Sequence, residues 1–231
     1  MESLKALINV YNESQFVSVC LESLKDCMDE IIIADGAYQM YYDEFKKDYP
    51  QAKPWSTDGT LEIIHALKDM PTVRLIRCTK PWLNQTVKRN TLINAVDEGE
   101  WFIIIDADEM LTGNVYKGLK DIIESGCVVG RAPLVNAGAD VDRLNYFWHP
   151  RIFLKMRGMH YERTHWQLRD RHDRIIENTY PVWWTQDFVM MHFKLFKSPN
   201  RLIPHQAYMD RFGRRGWVEP LVEEIKSEQF K

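Results

Sequence analysis

Residues 101–109 read WFIIIDADE, an apolar run that ends on Asp106 and Asp108. A strand with apolar residues on both faces is typical of the interior of a covered, largely parallel sheet. Ligands of such sheets bind beyond the carboxyl ends of the strands, so chemistry is expected at this end. The two aspartates offer hard oxygen ligands to Mg²⁺ or Mn²⁺, which can in turn hold a diphosphate. A strand that exits into solvent through acidic residues is the alternative, since Asp-x-Asp is a short motif.

Apolar segments and amphipathic segments alternate upstream of this run. Further strands are predicted at residues 5–10, 30–34 and 73–77. Helices are predicted between them, where apolar residues recur at helical spacing in residues 16–24 and 61–67. Strands that alternate with helices indicate βαβ units and a parallel sheet, so every strand contributes a polar loop to the same edge. The sequence therefore predicts an α/β fold with a mostly parallel central sheet.

Five short polar motifs fall at these strand ends and helix starts. They are Val10-Tyr11-Asn12-Glu13, Asp35-Gly36, Ser56-Thr57-Asp58-Gly59-Thr60, Lys88-Arg89-Asn90 and Asp106-Ala107-Asp108. In this order they resemble the family 2 glycosyltransferases of the GT-A fold, closely over the first half of the chain and loosely over the second. The resemblance implies a GT-A-like three-layer sandwich that transfers a sugar from a nucleotide-sugar donor, with a UDP-sugar favoured. It also implies Mn²⁺ or Mg²⁺ as the ion that bridges the donor diphosphate and the Asp-x-Asp motif.

The resemblance also implies roles for individual residues. Asn12 and Glu13 match the loop that faces the nucleoside, although Asn12 also suits an ordinary helix N-cap. Asp35 matches the acid that accepts hydrogen bonds from the base or the ribose. Lys88 and Arg89 look like the basic pair that faces the diphosphate or the sugar, the alternative being a solvated helix face.

The interval before Asp58 departs from the family pattern. The resemblance implies that Asp58 is the second acid near the nucleotide base. In most members of the family this acid follows the first acid, here Asp35, within about half a dozen residues. Here residues 37–55, which are rich in tyrosine, intervene. Asp58 could therefore serve only as a turn and cap residue. The insertion is expected to form a flap over the donor pocket or a contact between the subunits of a homodimer, rather than an independent domain.

Three residues are candidate metal ligands. Asp108 is expected to bind the ion directly and Asp106 to reach the ribose, or the metal through water, because alternate residues at a strand end diverge. Residues 189–193 form a predicted apolar strand that carries His192. The resemblance implies a third metal ligand at this position, while a satisfied core histidine is the alternative.

The catalytic base is sought in the second half of the chain. Residues 151–155 resemble the Arg-x-Phe strand beside the acceptor site, and residues 161–166 resemble a segment in which relatives often carry His-Glu. In this chain His165 is followed by tryptophan, which leaves Glu162 as the nearby acid. An inverting transfer needs a base within hydrogen-bond reach of the acceptor hydroxyl. His165 or Glu162 is the favoured base, and Asp187 is the third candidate.

Composition and charge fit one catalytic domain. The 231 residues are 45% hydrophobic and 12% aromatic, which excludes a disordered chain. We expect a single domain, with a nucleotide-sugar half at 1–110 and an acceptor half with C-terminal helices at 111–231. Residues 1–142 hold 14 Lys and Arg against 23 Asp and Glu, whereas residues 143–216 hold 14 against 6. This asymmetry suggests an anionic acceptor such as a glycan, a lipid or a modified nucleic acid, unless the two halves merely pair.

The remaining features bound the cellular setting. No apolar run is long enough to span a bilayer, so any membrane contact is expected to be peripheral, and no signal peptide is expected before the first strand. The four cysteines lack CxxC spacing and are expected to be reduced in a cytoplasmic protein without a structural zinc site. A helix predicted at residues 201–213 mixes basic and aromatic side chains, which suits a membrane surface or a nucleic-acid backbone, or else packs on the core.

Two other classes of protein stay open. A nucleotidyltransferase would share the sheet and the acids, but it is expected to carry a glycine-rich phosphate loop after the first strand, and residues 10–13 read VYNE. A non-catalytic module that binds a nucleotide-sugar or a nucleic acid would bind without turnover.

Overall fold

The computed structural model describes residues 3–67, 71–138, 147–162 and 167–197. The strands within these residues are β1 Leu4–Val10, β2 Glu30–Asp35, β3 Thr72–Arg77, β4 Trp101–Asp106, β5 Glu109–Gly113, β6 Val129–Asn136, β7 Phe147–Leu154, β8 His160–Tyr161, β9 Leu168–Arg169, β10 Val182–Trp184 and β11 Phe188–His192. The helices are α1 Val17–Glu22, α2 Gln39–Asp48, α3 Thr60–Ala66, α4 Gln85–Ile93, α5 Val115–Glu124 and α6 Ile176–Thr179, and a 3₁₀ turn spans Lys194–Phe196.

One large mixed sheet runs through the molecule in the order β3-β2-β1-β4-β7-β6-β11-β5, with β10 added beside β6. The first four of these strands are parallel, as predicted. Strand β7 is antiparallel to both β4 and β6, and β11 lies parallel to β6. Strands β1, β2, β4, β6 and β11 therefore all end at the same edge of the sheet. In that register Val10 pairs with Asp35 and Asn9 pairs with Asp106.

The apolar run of β4 lies between two hydrophobic cores. Ile103 and Ile105 belong to the core beneath α1, α3 and α5, whereas Phe102 and Ile104 belong to the core on the opposite face, beneath α4. Each of these side chains is at most 3% exposed. Full burial of such a side chain contributes about 1.5–3 kcal/mol. Because both faces are covered, the strand has no polar alternation, and the predicted three-layer arrangement is confirmed.

The tyrosine-rich insertion at residues 37–55 forms α2 and its flanks. Tyr41 and Phe45 on this helix pack with Tyr11, which follows β1, in a small aromatic cluster. The insertion is also tied to the segment after β3, since the Trp82 amide donates to the Ala37 carbonyl. It is thus joined to the main sheet and is not an independent domain. Its action as a flap or a subunit contact stays a prediction.

Two further sequence features can be located. No described helix has both the length and the apolar character needed to cross a membrane. The four cysteines are free thiols, and Cys20, which lies on α1, is buried in the core. The helix predicted at residues 201–213 lies outside the described residues.

Candidate active site

The Asp-x-Asp motif lies in the tight turn between β4 and β5. Asp106 ends β4, and Glu109 begins β5. Ala107 is buried, so the turn is packed against the core and both aspartates are held by it. Asp108 is only 5% exposed as a residue, whereas the Asp106 side chain is 30% exposed. The two carboxylates therefore have different surroundings, as the divergence of alternate residues predicts.

Asp108 has two neighbours that can carry a positive charge, one at the end of β11 and one directly after the 3₁₀ turn. Pairing of β11 with β5 places His192 opposite Glu109, and His192 Nε2 lies 3.1 Å from Asp108 Oδ2. Lys197 Nζ lies 3.0 Å from the same oxygen. Burial opposes ionisation of Asp108, but Lys197 and His192 outweigh it and hold the pKa of its carboxyl well below the usual range. Burial likewise disfavours the His192 imidazolium, yet Asp108 raises the pKa of His192. The structure thus brings Asp108 and His192 together in space, and metal binding by them stays a prediction.

Asp106 is held by two arginines. Arg89 Nη2 donates to Asp106 Oδ1 at 2.8 Å, and Arg151 Nη1 lies 3.9 Å from Oδ2. Burial works against the charged form, but the two guanidinium groups lower the pKa of Asp106. Arg89 is itself only 3% exposed. In this structure Arg89 contacts the first aspartate of the motif, and its predicted contact with the donor diphosphate or sugar stays a prediction.

Glu109 is a site residue to which sequence reasoning assigned no role. It is 1% exposed, accepts a hydrogen bond from the Asp106 amide at 2.9 Å and pairs with Arg151 Nη2 at 2.8 Å. Burial raises the pKa of Glu109, with Arg151 opposing the shift and Asp106 adding to it. Arg151 reaches both acids from an irregularity between β6 and β7, where Gly130 pairs with Ile152 and the next pair skips Arg151. Arg151 is the arginine of the Arg-x-Phe motif, and that motif was the available signal for its role.

Tyr161 is a second residue that the sequence did not single out. It is 4% exposed, and Asn90 of the Lys-Arg-Asn motif fixes its backbone, accepting from its amide at 2.7 Å and donating to its carbonyl at 2.8 Å. Burial raises the pKa of the Tyr161 phenol, against the opposing effect of nearby Arg89 and Arg151. Asn90 thus brings the segment that ends at Glu162 to the side of α4 that holds Asp106.

Lys88 is bonded to the backbone in this structure, whereas the sequence predicts that it faces the donor diphosphate or sugar. Its side chain is buried, and its ammonium donates to the carbonyls of Val10 at 2.8 Å and Gly36 at 2.7 Å. It also lies over the Tyr38 ring. Burial lowers the pKa of Lys88 to about 7. Lys88 therefore joins the ends of β1 and β2, and the alternative of a solvated helix face is wrong. Its contact with the donor stays a prediction.

The loop after β1 is bound to the loop before α3. Asn12 has a positive φ of 52°, and its Oδ1 accepts from the Thr57 amide at 2.9 Å. The N-cap of α1 is Phe16, so the N-cap interpretation of Asn12 is wrong. Asp35 is fully buried and accepts from the Ser56 amide and hydroxyl, the latter at 2.6 Å. These internal bonds already occupy its carboxylate. The predicted contact of Asp35 with the nucleotide stays a prediction.

Asp58 and Glu13 hold the same two loops together. The Glu13 amide donates to Thr60 Oγ1 at 2.8 Å, and the Ser14 amide donates to Asp58 Oδ2 at 3.0 Å. The Thr60 amide donates to the other oxygen of Asp58. The arrangement favours the turn and cap role for Asp58 over a direct contact with the base.

Asp58→Asn is expected to lower the free energy of unfolding by about 1 kcal/mol at pH 7, a value kept small because this side chain is exposed. Burial disfavours its charge, but hydrogen bonds from Thr60 and Ser14 lower the pKa of Asp58. A carboxyl whose pKa is lowered in the folded state stabilises the fold above its unfolded-state pKa. This stabilisation is lost as the pH falls through the folded-state pKa. The difference between the two proteins should therefore shrink below about pH 4, as measured by urea unfolding at several pH values.

Asp26→Asn, at an exposed position in another turn, is the matched control and should change the free energy of unfolding by less than about 0.5 kcal/mol. A difference for Asp58→Asn that stays constant from pH 7 to pH 3 would contradict the assigned hydrogen bonds.

The three candidates for the catalytic base differ in where they lie relative to the site. Glu162 follows Tyr161, and its side chain is 45% exposed and lies 3.6 Å from the Arg169 guanidinium. Asp187 lies before β11, about 16 Å along the strand from His192 and thus at the opposite edge of the sheet. It is paired there with Lys117 at 3.0 Å. Asp187 is therefore removed as a candidate base. His165 lies outside the described residues.

The chemistry of the donor set fits a hard divalent cation. Asp108 and Asp106 supply carboxylate oxygens, the ligands that suit Mn²⁺ and Mg²⁺, and His192 can add an imidazole nitrogen beside them. Lys197 already places a positive charge 3.0 Å from Asp108 and 2.9 Å from Glu13, which shows that these acids can accommodate a cation between them. Within the described part of the chain, no cluster of three or more His, Cys, Asp or Glu side chains is already arranged as a metal site.

The fold resembles that of solved glycosyltransferase structures. S. aureus TarS superposes with a TM-score of 0.59 at 13% identity, over 87% of this chain and 38% of TarS. A structure of TarS residues 1–349 in complex with UDP-GlcNAc gives a TM-score of 0.58 at 14% identity, over 83% of this chain and 59% of that one. These similarities confirm the GT-A-like α/β fold.

Sequence comparison finds relatives of the same kind. The SPbeta prophage-derived glycosyltransferase SunS of Bacillus subtilis (strain 168) is 36% identical over 104 residues, which is 45% of this chain but only 19% of SunS. The chain thus spans about a fifth of the length of this relative. The sequence profile of the family described as Glycosyl transferase family 2 matches residues 55–221. Since this match covers well over half of the 231 residues, the chain belongs to glycosyl transferase family 2.

Proposed function

We propose that this protein transfers a sugar from a nucleotide-sugar donor to a hydroxyl group of an acceptor, with a divalent metal ion at the Asp-x-Asp turn. The observation that carries the proposal is the convergence of Asp106, Asp108 and His192 at the carboxyl edge of the sheet. Family membership and the resemblance of the fold to a structure with UDP-GlcNAc support a UDP-sugar as the first donor to test. Family membership also favours glycosyl transfer over a nucleotidyl transfer.

The residues that would hold the metal are Asp108 directly, with His192 beside it and Asp106 through water or the donor ribose. A bound Mn²⁺ or Mg²⁺ would neutralise the charge that builds up on the departing nucleoside diphosphate. Arg89 and Arg151 keep Asp106 ionised and fix its direction, because each is in ionic contact with it. The burial of this network lets its charges act at low dielectric, where they have their largest effect.

The nucleoside is assigned to the edge formed by β1 and β2. Asn12 and Asp35 lie in the two interlocked loops there, and the aromatic side chains around Tyr11 cover the adjacent surface. The proposed donor site therefore lies in the 1–110 half of the chain. The acceptor is assigned to the 111–231 half, which carries the basic residues that suit an anionic acceptor.

A screen of nucleotide-sugar hydrolysis with Mn²⁺ and Mg²⁺ tests the proposal before any acceptor is known. The screen should find one donor class whose hydrolysis needs the metal and stops when EDTA is added. The control is the same donor with the Asp108→Asn protein. Binding of a nucleotide-sugar without turnover under every metal condition would instead support the non-catalytic binding module.

The proposed stereochemistry is inversion, with Glu162 or His165 as the base. Glu162 is attached to Tyr161, whose ring is near Arg89 and Arg151, so its segment borders the site. Glu162→Gln, or His165→Ala if the base is His165, should lower kcat by about 10²-fold or more with little effect on donor KM. NMR of the product should show the anomeric configuration opposite to that of the donor. A product that retains the donor configuration would rule out this base mechanism, and near-parental kcat in both variants would rule out both residues.

A further inference from the structure

Lys197 forms an ionic bridge between two different loops at the site. Its ammonium lies 2.9 Å from Glu13 Oε1, in the loop after β1, and 3.0 Å from Asp108 Oδ2, in the turn after β4. Its side chain is only 18% exposed. Asp108 Oδ2 is also the oxygen that contacts His192. The lysine thus occupies a position beside the carboxylate and the imidazole that the proposed function assigns to the metal.

The short segment that carries Lys197 is fastened to the same loop. Its first residue, Phe193, stacks on Phe16 with ring centroids 5.4 Å apart and donates its amide to the Asp108 carbonyl at 2.8 Å. The Phe196 carbonyl accepts from Gln15 Nε2 at 2.9 Å. The 3₁₀ turn Lys194–Phe196 between these contacts orients Lys197 toward the acids. We call residues 193–197 the lysine strap.

A lysine and a divalent ion cannot both occupy this position. An oxygen that is 3.0 Å from an ammonium must approach Mg²⁺ to about 2.1 Å or Mn²⁺ to a similar distance, and the two cations would then repel each other at close range. Glu13 and Asp108 are both nearly buried, at 8% and 5% exposed. Without a cation between them, two such carboxylates would repel each other at low dielectric, so the site favours one cation at all times.

We propose that Lys197 is an internal counter-ion that closes the site in the absence of metal, and that metal binding displaces it together with the lysine strap. This inference rests on the proposed function, because it assumes that Asp108 is a metal ligand. The strap is then a competitor of the metal, and the apparent metal affinity is reduced by the fraction of molecules in which Lys197 is bound.

The proposal is tested by measuring Mn²⁺ binding in the absence of any nucleotide-sugar. The binding is measured by calorimetry and by the EPR signal of free Mn²⁺. Lys197→Met should bind Mn²⁺ about 10- to 100-fold more tightly than the parent protein, because the competing cation is removed. Lys197→Arg keeps the positive charge and should bind as weakly as the parent. Lys194→Met, which removes a neighbouring charge of the same 3₁₀ turn, is the matched control and should have a smaller effect than Lys197→Met. Equal Mn²⁺ affinity in the parent and in Lys197→Met would overturn the proposal.

A second measurement reports the accessibility of the Lys197 side chain. Acetylation by a water-soluble ester, read by mass spectrometry, should be slow at Lys197 in the metal-free parent and faster when saturating Mn²⁺ is present. The exposed Lys25 serves as the reference peptide in both samples. An unchanged rate at Lys197 when Mn²⁺ is bound would show that the strap stays in place and would overturn the displacement.

The two proposals fail in different ways. Tight Mn²⁺ binding by Lys197→Met without hydrolysis of any nucleotide-sugar would leave the lysine strap intact as an inference and remove the proposed activity. Metal-dependent hydrolysis with equal Mn²⁺ affinity in both proteins would do the reverse. Thermal unfolding of each variant shows beforehand that the substituted proteins are folded.

Discussion

Asp108→Asn is expected to reduce metal-dependent turnover of the donor by about 10³-fold while the protein keeps its fold. The substitution keeps the size of the side chain but removes the negative charge that His192 and Lys197 contact. A neutral amide is a weaker ligand for a hard cation than a carboxylate, so the metal and the diphosphate are both held less well. Turnover is measured as nucleoside diphosphate release at saturating Mn²⁺, together with the thermal unfolding midpoint.

Asp187→Asn is the matched control for this prediction. It makes the same chemical change on the same sheet, but at the opposite edge, where Asp187 pairs with Lys117 at 3.0 Å. Its turnover should stay within about twofold of the parent. If the Asp108→Asn protein turns over its donor at the parental rate under saturating Mn²⁺, the assignment of the site to this turn is wrong.

Arg151→Met is expected to produce the largest loss of stability, about 3–5 kcal/mol. It removes the partner of Glu109, which is 1% exposed and 2.8 Å from the guanidinium. An unpaired carboxylate at such a buried position must either stay charged at low dielectric or take up a proton, and both cost free energy. The measurement is the free energy of unfolding in urea at pH 7.

The double variant Glu109→Gln with Arg151→Met separates the pair from the packing of the arginine. It should recover a substantial part of the loss, because the buried charge is then absent. Lys117→Met, which breaks an exposed pair with Asp187, should change the free energy of unfolding little, because solvent screens this pair. A loss from Arg151→Met no greater than that from Lys117→Met would contradict the buried ion pair.

The strands of the first half could be predicted because their signal is local. The runs at residues 5–10, 30–34 and 101–106 are mostly apolar, the run at 73–77 alternates with arginines, and polar loops bound all four; they form β1, β2, β4 and β3. The carboxyl ends of parallel strands must share an edge, so the meeting of Asp35 and Asp106 at one edge followed from the same pattern. The approach of His192 to Asp108 was predicted only through the family resemblance, since 84 residues separate them.

The partners of buried charges could not be predicted in this way. Lys88 and Arg89 are neighbours in sequence, yet one reaches two backbone carbonyls and the other reaches Asp106, because adjacent helical residues point in different directions. The role of Glu109 depends on Arg151, which an irregularity between β6 and β7 turns toward it. Such contacts arise only when distant segments pack together.

The sequence alone determined the fold class and the edge of the sheet that carries the chemistry, because hydrophobic periodicity and strand ends are properties of short segments. The tertiary structure decided which charge lies beside which. It removed Asp187 from the site, gave Lys88 a structural role and placed Lys197 between Glu13 and Asp108. Buried charges need partners, and those partners come from whichever segment the packing brings within about 3 Å, regardless of separation along the chain.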